Sequence, residues 1–228
     1  MTFKGYRFPK ELILLSVRWY LRYGLSYRDL EEMLRERGAS PDHTSIFRWV
    51  QRFTPQLLEA FKSRKAPVGG RWRMDETYIK VKGQARYLYR AVDKNGDTVD
   101  FLLTARRDRD AARRFLEKAV KNNGVPSLVN IDKSGANQAG IEDYNESLGF
   151  GPPDIEVRQC KYLNNIVEQE HRNVKRRIRP MLGFKSFWTA RVVLGGIELV
   201  HMLRKGQLAP DAQKPSLTAA DAFYGLAA

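Results

Sequence analysis

The apolar period of the chain changes character once. Up to Phe61 the large apolar side chains recur at helical spacing, and from Arg71 they fall into short β-rich runs separated by turn residues. A helical unit followed by a mixed one is the expectation. Leu12, Leu15 and Trp19 mark a first helix, punctuated by Gly24 and Ser26. Ser26 is placed to cap a second helix from Tyr27, with Tyr27, Leu30 and Leu34 inward and Gly38 at its end. A third helix starts at Asp42 or His43 and turns Ile46, Trp49, Val50 and Phe53 inward. The last two have the dimensions of a helix-turn-helix, whose second helix lies in the major groove of DNA. Thr44, Arg48 and Gln51 would face outward there, Arg48 or Gln51 reaching base edges and Arg52 a phosphate. A plain helical bundle has the same periodicity, but the basic outer face favours DNA.

Between Phe61 and Gly70 the period is lost among Lys, Pro and Gly, which reads as a linker. Arg71 to Val81 and Tyr87 to Val92 are β-rich, and Asp93-Lys94-Asn95-Gly96-Asp97 supplies a hairpin turn before Thr98 to Thr104. A helix over Asp110 to Asn122 follows, with Ala111, Phe115 and Ala119 inward, then a strand over Leu128 to Ile131. A short helix (Gln138 to Ser147), a brief strand (Ile155 to Val157) and a helix from about Leu163 to Arg179 complete the pattern. Strand, strand, strand, helix, strand, helix, strand, helix is the order of a ribonuclease-H-like α/β domain, although several mixed sheets share much of it. The expected organisation is a helix-turn-helix domain over 1–66, a ribonuclease-H-like catalytic domain over 67–205, and a polar, Ala-rich tail over 206–228 that is partly disordered.

Charge narrows the partner. The formal net charge is +14, carried by 40 Lys and Arg against 26 Asp and Glu, which favours a polyanion. Residues 1–66 hold 13 basic and 7 acidic side chains, 67–154 hold 15 and 13, and 155–228 hold 12 and 6. A carboxylate-rich centre between basic flanks suits chemistry on a bound phosphate backbone. The best apolar stretch, Leu12 to Leu25, is broken by Arg18 and Arg22, so neither a membrane span nor a signal peptide is expected and the cytoplasm is the expected location. Cys160, the single cysteine, has no partner for an internal disulfide.

Phosphodiester chemistry is commonly run by two divalent cations about 3.5 to 4 Å apart, and Mg²⁺ takes oxygen ligands and keeps several waters. Two or three carboxylates suffice, and His43, His171 and His201 are too scattered to form a cluster. Asp75 lies within the first strand and Asp132 ends another, at the edge where open α/β sheets place their sites. At 100° per residue, Glu168, Arg172, Lys175 and Arg179 fall within about 40° of one direction, beside an apolar stripe of Val167, Val174 and Ile178 that also includes His171. Solvated i, i+4 pairs explain that face without function. The same face also lets Glu168 hold a metal while Arg172, Lys175 and Arg179 neutralise phosphates, and Glu170 points elsewhere.

Met74-Asp75-Glu76-Thr77-Tyr78, Asn130-Ile131-Asp132-Lys133 and the run from Arg158 through Asn164-Asn165-Ile166-Val167-Glu168 resemble the catalytic signature of bacterial insertion-sequence transposases, the insertion-sequence-six family above all. The similarity continues through Lys175-Arg176 and Leu182-Gly183-Phe184-Lys185-Ser186, and upstream through Ser26-Tyr27-Arg28-Asp29-Leu30 and Arg48-Trp49-Val50-Gln51-Arg52. With 35 residues between Asp132 and Glu168 and Lys175 seven beyond the Glu, the set is specific. The resemblance implies a retroviral-integrase-like core in which Asp75, Asp132 and Glu168 hold two Mg²⁺ ions, with Mn²⁺ able to substitute, and Lys175 contacts the element's end. It further implies binding of double-stranded DNA at terminal inverted repeats, strand cleavage and joining to target DNA in a nucleoid-associated protein; because two ends must be brought together, a homodimer or larger assembly on DNA is expected. One departure stands out: Ser134-Gly135-Ala136-Asn137 replaces an Ala-Pro-Ala-Tyr run, which leaves the role of Asn137 open. A helix-turn-helix regulator without catalysis and a nuclease that hydrolyses without joining are the competing readings.

Overall fold

Capping side chains set where the N-terminal helices begin. The computed structural model describes residues 1–133, 135–149, 151, 154–160, 164–209 and 218–227. Helix α1 (Lys10–Arg22) follows Pro9. Helix α2 (Tyr27–Arg35) opens on a capping box in which the Ser26 hydroxyl accepts from Asp29 N and the Asp29 carboxylate accepts from Ser26 N. Helix α3 (His43–Lys62) is capped by Asp42, which accepts from Ser45 N at 3.0 Å. Ile46, Trp49, Val50 and Phe53 are buried as expected. In α1 the buried face is Ile13, Leu14, Val17, Tyr20 and Leu21, so Leu12, Leu15 and Trp19 flank it rather than form it.

Two compact units result: Met1–Ala66 together with Val174–Ala228, and Pro67–Asn173. In the first, α1 to α3 pack with α7 (Phe187–Arg204), a helix that the sequence pattern does not announce. A Cβ on Gly196 of α7 would meet Leu21 at 2.5 Å and Thr54 at 2.7 Å, so glycine is what allows α7 to lie directly against α1 and α3. The chain past residue 205 is ordered over its described part. Ala66 N donates to Gln207 O at 2.9 Å, Ala209 N donates to Arg64 O at 2.8 Å, and α8 (Ala219–Gly225) buries Phe223. Residues 210–217 lie outside the described residues.

The second unit is built on one sheet, ordered β3-β2-β1-β4-β5. Strands β1 (Arg71–Val81), β2 (Gln84–Asp93) and β3 (Thr98–Thr104) run antiparallel, while β4 (Leu128–Ile131) and β5 (Glu156–Gln159) continue the sheet in parallel. This is the ribonuclease-H-like arrangement. β1 turns into β2 through Lys82 and Gly83, both left-handed at φ 50° and 77°, a geometry whose twist suits a two-residue hairpin. The Asp93 carboxylate accepts from Asn95 N, Asp97 N and Gly69 N, which fastens the β2–β3 turn to the start of the unit.

Side chains alternate across β1, and the sheet has two differently covered faces. Trp72, Met74, Tyr89, Ala91, Val129 and Ile131 meet Ala111, Ala112, Phe115 and Leu116 of α4 (Arg109–Asn123) and Ile141 of α5 (Gly135–Leu148). Helix α6 (Asn165–Ile178) reaches the opposite face, where Glu170 pairs with Arg90 at 2.8 Å and Arg90 donates to Thr98 at 3.0 Å. Arg90 is fully buried, so its charge needs that carboxylate.

Two stability outcomes follow from this packing. A Cβ on Gly140 would stand 2.7 Å from Ala112 Cβ and 2.9 Å from Arg113 N, where α5 crosses α4. Gly140→Ala should cost about 1–3 kcal/mol in urea unfolding, whereas Gly135→Ala, which meets nothing within 4 Å, should not lower the midpoint. Glu170→Leu should cost about 3–5 kcal/mol by leaving Arg90 buried without its carboxylate, read as a lower thermal midpoint.

Candidate active site

Two of the expected carboxylates are placed by strand register. The parallel β1–β4 pair aligns Arg73 with Asn130. Asp75 lies two residues past Arg73 in β1 and Asp132 two past Asn130, one residue beyond the end of β4, so the two acids follow paired positions on strands about 4.8 Å apart. The antiparallel β1–β2 pair sets Arg90 opposite Asp75. Arg90 and Asp75 share the face that α6 covers. Both aspartates are partly buried.

Buried amides bring in the third carboxylate. Asn130, at 2% exposure in the middle of an apolar strand, donates from Nδ2 to Asn164 Oδ1 at 2.6 Å and to Cys160 O at 3.1 Å. Asn164 Nδ2 donates to Met74 O at 3.3 Å. The residue preceding α6 is therefore tied to β1 one position before Asp75 and to β4 two positions before Asp132. Seven residues on, His171 Nε2 stands 3.2 Å from Asp75 Oδ2. Asn164, Glu168 and His171 lie at i, i+4 and i+7 on one helical stripe, with Glu168 about 4.5 Å along the axis from His171. Glu168 occupies the first turn of α6 and is exposed. Among the described residues no three His, Cys, Asp or Glu side chains already form a group that could hold a metal ion. The structure sets Asp75 on β1, Asp132 just past β4 and Glu168 in the first turn of α6, and does not close them into a ligand set.

On the other face of β1 the neighbouring Glu76 is almost fully buried. Asn137 Nδ2 donates to its Oε2 at 2.8 Å and Arg107 forms an ion pair with Oε1. Burial pushes the Glu76 carboxyl above its ordinary range; Asn137 and Arg107 pull it back, and the charges of Asp75 and Asp132 add to the upward push. Asn137, left open by the sequence, is thus the residue that ties the start of α5 to β1. Lys161, Tyr162 and Leu163 of the signature, and Ser134, lie outside the described residues.

The expected DNA contacts divide. Thr44, Arg48 and Arg52 are exposed on α3, the Thr44 hydroxyl donating to Asp42 and the Arg52 guanidinium lying 5.6 Å over the Tyr6 ring. Gln51 departs from the expectation: its amide nitrogen and oxygen are shielded inside the helical unit, because α3 turns this position toward α2 rather than outward. Arg172 is exposed and Lys175 half-exposed on α6. Arg179 is exposed but lies past the end of α6, in the 3₁₀ turn Arg179–Met181, so it does not continue the helical face. Sequence reasoning missed Arg90, Asn130 and Asn164 as site-building residues. For Arg90 and Asn130 the available signal was a polar or charged side chain inside an apolar strand, the same signal that identified Asp75; Asn164, at the start of α6, carries no such signal.

Residues 69–207 match the family model described as a DDE domain. The chain is 39% identical over 204 residues to the transposase for the insertion sequence-like element IS431mec of Staphylococcus aureus, covering 89% of this chain and 88% of that protein. It has the same identity and coverage with the transposase for the insertion sequence element IS257 in transposon Tn4003, also from Staphylococcus aureus. Among solved structures it is similar to the HTLV-2 integrase catalytic core domain in complex with magnesium, with a TM-score of 0.45 at 15% identity over 60% of this chain and 88% of that one. The chain of the simian T-cell lymphotropic virus intasome in complex with a PP2A regulatory subunit matches with a TM-score of 0.46 at 14% identity, over 82% of this chain and 74% of that one. The family match and the two relatives place the chain among the DDE transposases of bacterial insertion sequences, in the insertion-sequence-six family.

Proposed function

We propose that this transposase binds the terminal inverted repeats of its element through residues 1–66, cleaves a strand at each end, and joins the exposed 3′ hydroxyl to target DNA with Asp75, Asp132 and Glu168 as the catalytic set. Residues 67–205 form the catalytic segment in this reading, which the DDE-domain match over 69–207 supports. The observation that carries the proposal is the convergence of the three carboxylate-bearing elements on one buried amide knot, Asn130–Asn164–Met74 O. An all-oxygen donor set of two aspartates and a glutamate suits Mg²⁺, with Mn²⁺ as a substitute. Two such ions, when bound, stabilise the attacking and leaving oxygens of an in-line displacement.

Asp75, Asp132 and Glu168 would hold these ions, which would supply charge stabilisation at the reacting phosphate. The exposed Glu168 completes the set by a side-chain swing from the first turn of α6. Cleavage forms a bond from a water oxygen to phosphorus and breaks the bond to the 3′ oxygen, which leaves as a hydroxyl after taking a proton. Joining repeats the displacement: that 3′ hydroxyl loses its proton and bonds to a target phosphorus, and the phosphorus–3′ oxygen bond of the target strand breaks, releasing a target 3′ hydroxyl. Arg172, Lys175 and Arg179 neutralise phosphates near the reacting strand, and Arg48 and Arg52 anchor the end-binding helix with Thr44 beside them. Gln51 supports the fold of the reading helix and does not read bases. Two ends must be held together for joining, so the working form is a homodimer or larger assembly on DNA. No helix among the described residues is long and apolar enough to cross a membrane, and the proposed place of action is the cytoplasm, on the nucleoid.

Asp75→Asn, Asp132→Asn and Glu168→Gln should each abolish Mg²⁺-dependent nicking and joining of labelled terminal-repeat DNA while leaving the gel shift of that DNA within about threefold. Near-wild-type strand transfer by any one of them would remove that residue from the catalytic set, and a wild-type chain that binds without cutting would remove catalysis altogether. Arg48→Ala should weaken end binding by about 1–3 kcal/mol if it reads a base edge, detected as lost preference for repeat over random DNA. Equal weakening on both would make it a phosphate contact.

A further inference from the structure

His171 is a buried imidazole that the reaction as described does not use. It is 5% exposed, seated on α6 between Val167 and Val174, which are also buried. Its Nε2 lies 3.2 Å from Asp75 Oδ2, and the Asp75 side chain is itself only 16% exposed. Both ring nitrogens are buried, and neither makes a hydrogen bond of good geometry among the described residues, so the close approach of Nε2 to the Asp75 carboxylate is the polar contact the ring has. The neighbouring Glu170–Arg90 pair at 2.8 Å and the Asn164 bond to Met74 O tie the helix to the sheet just before and at the start of the turn that carries the ring. The imidazole is therefore held against one oxygen of the β1 aspartate and has little freedom to turn away.

We propose that His171 is a positioning residue for Asp75: as the Nε2–H tautomer it donates to Oδ2 and so presents Oδ1 to the cation site. A carboxylate with one oxygen held in this way has fewer rotamers to lose when it binds an ion, and a donor on the far oxygen fixes which oxygen faces the metal. The arrangement also couples α6 to the site. The helix that delivers Glu168 sets the orientation of Asp75 through a residue one turn further on, so the two ligands are tuned together. This inference rests on Asp75 being a metal ligand.

The test uses the full-length protein and Mn²⁺ alone, with free Mn²⁺ followed by its electron paramagnetic resonance signal. Wild type should bind and Asp75→Asn should lose most of that binding. His171→Met, which keeps volume without a donor, should weaken Mn²⁺ affinity about 10–100-fold, the usual effect of removing a group that supports a metal ligand. His171→Gln, whose amide can donate, should recover most of the loss. Unchanged affinity in His171→Met, or equal weakness in Met and Gln variants, would overturn the role. Wild type and Asp75→Asn binding Mn²⁺ alike would instead refute Asp75 as a ligand. Should the Met variant not fold, long-range ¹H–¹⁵N correlation on ¹⁵N-histidine-labelled wild type decides the matter: the Nε2–H tautomer, perturbed by Asp75→Asn, supports the proposal, and the Nδ1–H tautomer contradicts it.

Discussion

The site depends on a pair of buried asparagines. Asn130 reaches from β4 to Asn164 at the start of α6, and Asn164 reaches on to the carbonyl of Met74 in β1. Three elements distant in sequence are thereby joined in a water-poor interior, where a hydrogen bond is strong and an unmet amide is costly. Each carboxylate of the proposed set lies within four residues of the knot: Asp75 next to Met74, Asp132 two past Asn130, and Glu168 four past Asn164. The distance that matters for chemistry is set by these amides rather than by the carboxylates, which would repel one another without cations between them.

β1 carries consecutive acids onto opposite faces. Asp75 turns toward α6 and His171, while Glu76 turns toward α4 and α5 and is held by Arg107 and Asn137. Burying Glu76 is unfavourable alone, and the ion pair and amide offset it. The result is a second brace: Asn137 belongs to the helix that follows Asp132, so the segment bearing Asp132 is fixed at Asn130 on one side and at Asn137 on the other.

Much of this was legible before folding. β3 and β4 begin at the residues expected, because Asn95-Gly96 and Gly124-Val125-Pro126 just before them leave a strand or helix little choice. Asp75 and Asp132 were legible as charges in apolar strands, and the Ser26 and Asp42 caps as helix starts. Arg90 carried the same kind of signal within Tyr87 to Val92 and was missed. α7 escaped notice because Val192, Val193, Leu194, Ile197, Leu199 and Val200 are apolar all round, and a helix buried on every side shows no period. The tail reads as polar, yet α8 and the residues after it bury Ala222, Phe223, Leu226 and Ala227. Gln51 was misassigned for a reason that spacing does not reveal: α3 is covered on two sides, so its i, i+4, i+7 face is only partly outward. The amide knot itself joins residues 34 and 90 positions apart, and no local pattern announces it.

The central claim is that three carboxylates converge on one pair of cations. Crystals of the full chain bound to terminal-repeat DNA and grown with Mn²⁺ test it most directly, through anomalous scattering. The account predicts two Mn²⁺ peaks at the shared end of β1 and β4, within coordination distance of Asp75 and Asp132, with Glu168 swung in from α6. Ordered DNA with no Mn²⁺ at that end, or peaks ligated without Asp75, would contradict it.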